Sequence, residues 1–150
     1  MPDLEPTGRA LTIEMWIRQD VEAADPVLAE RLADGVGYRL TLPRLVGLRF
    51  VLFRGRSGPD EITATPELGF AGYSHVAVVA GNGTIAIYRE GKQISALPML
   101  EPMPYARAPF VVGRSSAGSD PFYGSIDEVA IYDYPLSEEQ IAAHVRLARP

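Results

Sequence analysis

Few side chains in this sequence could carry a reaction. The chain has 150 residues, two histidines and no cysteine, so a zinc centre or a nucleophile triad is poorly supplied. Among the carboxylates, Asp60-Glu61 and Asp127-Glu128 are adjacent pairs, and neighbours on a regular strand point to opposite faces. Retaining hydrolysis of a glycosidic bond needs two carboxyl groups on one face, about 5 Å apart. The pairs do not offer that geometry, so no enzyme is expected. Calcium takes about six to eight oxygen ligands. Asp34, Asp60 and Asp120 fall in loops where they could contribute, but single loop aspartates more often bond their own backbone. No cofactor is therefore expected, with calcium the one candidate. His75 falls in a strand and reads as a hydrogen-bonded structural imidazole; His144 falls on a terminal helix and reads as solvated.

Binding is better supplied than catalysis. A glycan site wants exposed aromatic rings beside polar loops, and the stock is Trp16, Tyr73, Phe122, Tyr123 and Tyr134. Trp16 and Tyr73 occupy strand positions and read as core. Phe122 and Tyr123 close a polar loop over residues 115–121, with Arg114 before it and Asp120 inside it, and Arg56 lies in a second loop over 55–60. The candidate ligand-binding residues are thus Arg114, Asp120, Phe122, Tyr123 and Arg56. A formal charge of −5 with acids and bases scattered argues against a nucleic-acid partner. No stretch approaches the roughly 18 apolar residues of a membrane span, and the opening Met-Pro-Asp-Leu-Glu-Pro has neither the basic nor the apolar part of an export signal.

The elements that must hold these residues are mostly strands. Residues 11–18 alternate, with Leu11, Ile13, Met15 and Ile17 opposite Thr12, Glu14, Trp16 and Arg18. Tyr38, Leu40 and Leu42 alternate with Arg39 and Thr41, and 47–54 is apolar on both faces, as in a central strand. Short strands follow at 62–65 and 110–114. Asn82-Gly83 and Glu90-Gly91 join three strands over 73–95 as successive hairpins. Residues 97–109 hold four prolines and read as an irregular crossing or an edge. Between Asp25 and Gly35 local rules permit a helix capped by Asp25. After a strand over 124–132, Ser137 and Gln140 form a capping box, with Leu136 and Ile141 as a hydrophobic staple, opening a C-terminal helix.

Three segments resemble one family. Gly-Ser-Ile-Asp-Glu-Val-Ala-Ile-Tyr followed by Leu-Ser at 124–137, Leu-Thr-Ile-Glu-Met-Trp-Ile at 11–17, and Tyr-Ser-His-Val-Ala-Val-Val at 73–79 are similar to the closing, early and middle strands of laminin G-like, concanavalin A-like jelly rolls. Tyr73 stands where the family usually has Trp, and Gln140 where it usually has an acid. The resemblance implies a strand rather than a helix at 26–34, because the strand over 37–42 then gains its hairpin partner. It also implies a structural role for Asp127. The glucanases of this group carry a Glu-x-Asp-x-x-Glu run, which is missing here. The calcium ligands of pentraxins would follow residues 110–113, where this chain reads Arg114-Ser115-Ser116.

The expectation is one domain over 1–150: an all-β antiparallel sandwich of jelly-roll type with a short C-terminal helix. It would serve as a non-catalytic recognition or assembly module at an extracellular surface or in a virion, such as a phage particle. Its partner would be a glycan or a protein, with homo-oligomerisation or a place in a larger assembly as alternatives. The family's first strand is reduced here to about ten residues containing Pro2 and Pro6. The strands over 11–18 and 124–132 would then present pairing groups to a partner.

Overall fold

Period-two patterning and three two-residue turns account for most of the architecture. The structure, a computed structural model, describes residues 10–44, 46–55, 60–64 and 72–148. Ten strands and one helix follow in order: β1 (Leu11–Val21), β2 (Val27–Ala33), β3 (Val36–Thr41), β4 (Leu48–Arg54), β5 (Asp60–Ala64), β6 (Ser74–Gly81), β7 (Thr84–Arg89), β8 (Lys92–Pro98), β9 (Val111–Val112), β10 (Tyr123–Tyr132) and α1 (Glu138–Leu147). They form two antiparallel five-stranded sheets, ordered β10-β1-β6-β7-β8 and β5-β4-β3-β2-β9, the β-sandwich expected. Of the described residues, 10–18, 72–103 and 126–148 make one compact unit; those from 19 to 64, with 104–125, make a second.

In the second unit β2 and β3 pair through Asp34-Gly35, both at positive φ (55° and 74°). The strand over 26–34 therefore prevails over the local helix signal. Leu40, Phe50, Leu52 and Ile62 are buried, and Tyr38 packs at 6.0 Å from the Phe50 ring and 6.4 Å from Phe110.

In the first unit Asn82-Gly83 and Glu90-Gly91 again take positive φ and join β6 to β7 and β7 to β8 with Gly81 opposite Thr84 and Arg89 opposite Lys92. Such left-handed pairs match the twist of a hairpin. Gly91 is required on a second count: a Cβ there would lie 2.9 Å from the Ala142 Cα of α1. The helix begins as expected, with the Ser137 side chain accepting from Gln140 N and the Gln140 side chain accepting from Ser137 N. Leu136 and Ile141 join Ala77, Val79, Ala86 and Tyr88 in one apolar cluster, so α1 is fixed by the face it buries on the sheet.

Several expectations shift. β5 begins at Asp60 and ends at Ala64, β9 keeps only two residues of the expected 110–114, and β8 continues to Pro98 as an edge strand. Pro98 is tolerated because an edge leaves one row of ladder positions unpaired. Tyr73 is half-buried rather than core, with the Arg18 guanidinium 5.4 Å from its ring centroid. β1 lies between β10 and β6, so of the two strands expected to present pairing groups only β10 is an edge. The segment over 1–9 lies outside the described residues.

Candidate functional site

Among the described residues two places gather candidate functional side chains, one in each unit. In the second unit, β9 pairs with β2 and the chain then turns at Gly113, φ 83°. The loop that follows is bonded to itself: Ser115 N donates to Ser119 O at 2.8 Å, Gly118 N to Ser115 O at 2.9 Å, and Phe122 N to Gly113 O at 2.9 Å. Val27 N donates to Asp120 O at 2.9 Å and so ties the loop to β2. The principal anchor is Glu30, a carboxylate 1% exposed. Its Oε1 accepts from Ser116 N at 2.8 Å and Ser116 Oγ at 2.6 Å, and its Oε2 accepts from Arg39 Nε. Burial acts to raise the Glu30 carboxyl, but the Ser116 donors and Arg39 outweigh it and hold the group below its ordinary value.

This loop carries four of the five candidate binding residues. Arg114 and Asp120 are exposed, Phe122 is half-buried and Tyr123 is 53% exposed. A Cβ on Gly118 would sit 3.3 Å from an Arg114 guanidinium nitrogen, so glycine leaves room for that side chain to lie across the loop. Asp120 and Asp34 both occupy left-handed turn positions, and the Asp120 carboxylate accepts from Ser119 Oγ at 3.1 Å. Arg56 lies outside the described residues. Among the described residues no three histidine or carboxylate groups are grouped to hold a metal ion.

The first unit holds a cavity of about 250 Å³ lined by Glu14, Trp16, His75, Glu128, Tyr132 and His144 among others. Strand register explains the grouping. Thr12, Glu14 and Trp16 share one face of β1, and His75 of β6 stands directly opposite Trp16, which places Glu14 and His75 on adjacent diagonal positions. The neighbouring strand β10 contributes Glu128, held at φ 51° with its N–H bonded to Asp127 Oδ1 at 2.9 Å, and Tyr132. The expected structural role of Asp127 is seen in that bond. Thr12 Oγ1 donates to Tyr134 O at 2.8 Å and accepts from Leu136 N at 3.0 Å, fixing the entry to α1. His144 follows Ile141 by three residues and so shares its buried face.

At the centre stands the Glu14 carboxylate. His144 Nδ1 lies 2.8 and 3.0 Å from its two oxygens, Tyr132 OH donates to it at 3.5 Å, and His75 Nε2 is 3.9 Å away. Burial pushes the His75 imidazole below its ordinary value, against the pull of Glu14 and Glu90. Burial, then Glu14, pushes the Tyr132 phenol up. Two readings from sequence are corrected. His144 is engaged by Glu14 rather than solvated, because α1 turns that face to the sheet. His75 is buried, but its Nδ1 has no partner among the described residues. Glu14 stands in the sequence only as one member of the strand's alternation; its signal is a carboxylate two residues before Trp16, a large ring that reads as core.

Two antiparallel sheets with a capped terminal helix define a jelly-roll domain. The chain belongs to the laminin G type 3 family of the concanavalin A-like lectin/glucanases superfamily, whose profile matches residues 1–142. No curated protein sequence matches it. Among solved structures, the botulinum neurotoxin DC binding domain in complex with SialylT superposes with a TM-score of 0.75 at 16% identity, over 92% of this chain and 35% of that one. The same toxin domain in complex with rat synaptotagmin II gives 0.76 at 14% identity, over 97% and 38%. A candidate carbohydrate-binding protein from Bacteroides ovatus gives 0.72 at 20% identity, over 89% and 40%. The chain thus spans between a third and two fifths of the length of these proteins. No described helix is long and apolar enough to cross a membrane.

Proposed function

We propose that this chain is a non-catalytic recognition module that engages a glycan at an extracellular surface through the loop from Arg114 to Tyr123. The observation that carries the reading is the use of a buried carboxylate, Glu30, to hold Ser116. A carboxylate removed from water is costly unless fully bonded, and here that cost goes into fixing an exposed loop, which reduces the ordering needed when a ligand binds. The loop presents an aromatic ring, Tyr123, and a fivefold donor, Arg114, the side chains that recognise sugar rings and their hydroxyl or carboxylate groups. A structural neighbour in complex with SialylT and a candidate carbohydrate-binding protein support the class of partner.

The test is a glycan array followed by calorimetric titration of the best ligand. Arg114→Ala and Tyr123→Ala should each weaken binding by about tenfold or more. A ligand bound equally by both variants, or no glycan retained at all, would remove the proposal. A protein partner is the second reading, favoured by Val129 and Ile131, 38% and 40% exposed on the edge strand β10. Self-association lost on Ile131→Lys would support it.

A further inference from the structure

The geometry points to a second ligand site, independent of the loop: the cavity at the end of α1 takes a compact molecule carrying a primary ammonium group, with Glu14 as its counter-ion. Three observations select that chemistry. First, among the described residues the lining includes two carboxylates, Glu14 and Glu128, and neither lysine nor arginine, so none of them offers an anion a fixed positive group. Second, the aromatic rings are already engaged. Trp16, 1% exposed, meets His75 edge-on at 5.2 Å, and Tyr132 packs against Tyr134 at 5.5 Å and His144 at 6.3 Å. No ring is left to serve as a platform for a neutral sugar, the arrangement that ligand requires. Third, Leu147 and Ala148 bring the C-terminal end of α1 to the cavity, and the partial negative charge of a helix C-terminus favours a cation.

The Glu14 carboxylate can take a further donor. A carboxylate accepts about four hydrogen bonds, and the nitrogens and hydroxyl around it are His144 Nδ1, at bonding distance, and Tyr132 OH and His75 Nε2, both farther off. An ammonium supplies three donors and a full charge in a partly desolvated setting, where a charge-assisted bond is stronger than a neutral one. Among the described residues, the titratable groups facing the site are Glu14 on β1, His75 on β6, Glu128 and Tyr132 on β10, and His144 on α1, with Glu90 beyond His75.

The chain offers its own reporters, since its only two histidines, His75 and His144, both line this cavity. Imidazole resonances of the full chain should be followed while ethanolamine and D-glucosamine are titrated against their uncharged counterparts, ethylene glycol and N-acetylglucosamine. The ammonium probes should shift both histidines saturably and lose affinity as salt is added; the neutral probes should not. Glu14→Gln should reduce affinity about tenfold or more. Should that variant fold poorly, Glu128→Gln gives a second reading, with a smaller loss expected from its exposed position. An equal response to the neutral probes, a response to divalent metal alone, or no saturable shift overturns the proposal.

Discussion

His144 Nδ1 lies 2.8 Å from Glu14 Oε1, so the last turn of the terminal helix is tied to a strand at the opposite end of the chain. A neutral partner could replace that bond with water, but Glu14 has only 8% of its side chain exposed. Removal of His144 therefore leaves a largely buried carboxylate under-satisfied. His144→Ala should lower stability by about 1–3 kcal/mol, read in a urea melt, whereas a solvated histidine would cost almost nothing.

Acid should act through His75. Its folded pKa is depressed from 6.5 by burial, so the unfolded chain takes the proton first as pH falls. The contribution is fully present above pH 6.5 and is lost progressively below it, until the folded imidazole also titrates. Melting temperature should be level above that value and decline below it, and His75→Gln should flatten the decline. An unchanged slope in the variant would assign the pH dependence to other groups.

Glu30 governs a lower window. Its depressed folded pKa means that its contribution is present above 4.5 and disappears as pH falls through the folded value. Glu30→Gln should cost about 2 kcal/mol and, more tellingly, should raise amide exchange at Ser116 and Gly118 before any global unfolding.

The two turn glycines should differ. Gly83 and Gly91 both have positive φ, 77° and 82°, but a Cβ at Gly83 meets nothing within 4 Å while one at Gly91 meets backbone of α1. Gly83→Ala should cost about 1 kcal/mol in backbone strain. Gly91→Ala should cost clearly more and should perturb the His144 resonance, since the helix must move.

Tyr38→Phe should leave stability unchanged or raise it by up to about 1 kcal/mol. The phenol is 2% exposed, has no partner among the described residues, and is pushed up to about 12, chiefly by burial. A loss of more than that in thermal unfolding would show that the hydroxyl is bonded in solution.

Local signals carried the strands and the helix start because each is written in neighbouring residues: Asp34-Gly35, Asn82-Gly83 and Glu90-Gly91 for turns, Ser137 and Gln140 for the cap. That Arg114, Asp120, Phe122 and Tyr123 share one segment was also legible, since they lie within ten positions of one another. The cavity was not, since Glu14, His75, Tyr132 and His144 meet only through the β10-β1-β6 order and the docking of α1. Nor does family likeness reach it whole: the profile match stops at residue 142, before His144. Glu30 was hidden for the same reason, its partners being set by the pairing of β2 with β3 and by the fold of a distant loop.

The three two-residue hairpins also set the order in which the molecule can assemble. Each closes strands already adjacent in the chain, a microsecond event with a small entropic cost. The pairings of β1 with β6 and of β10 with β1 join segments far apart in sequence, and such contacts dominate folding times in β proteins. Glu14 meets His75 only once β1 has paired with β6, and His144 only once α1 has docked on that sheet, while Tyr132 arrives with β10. The cavity is then a late product of folding, and the shifts of its two histidines time the final step of refolding.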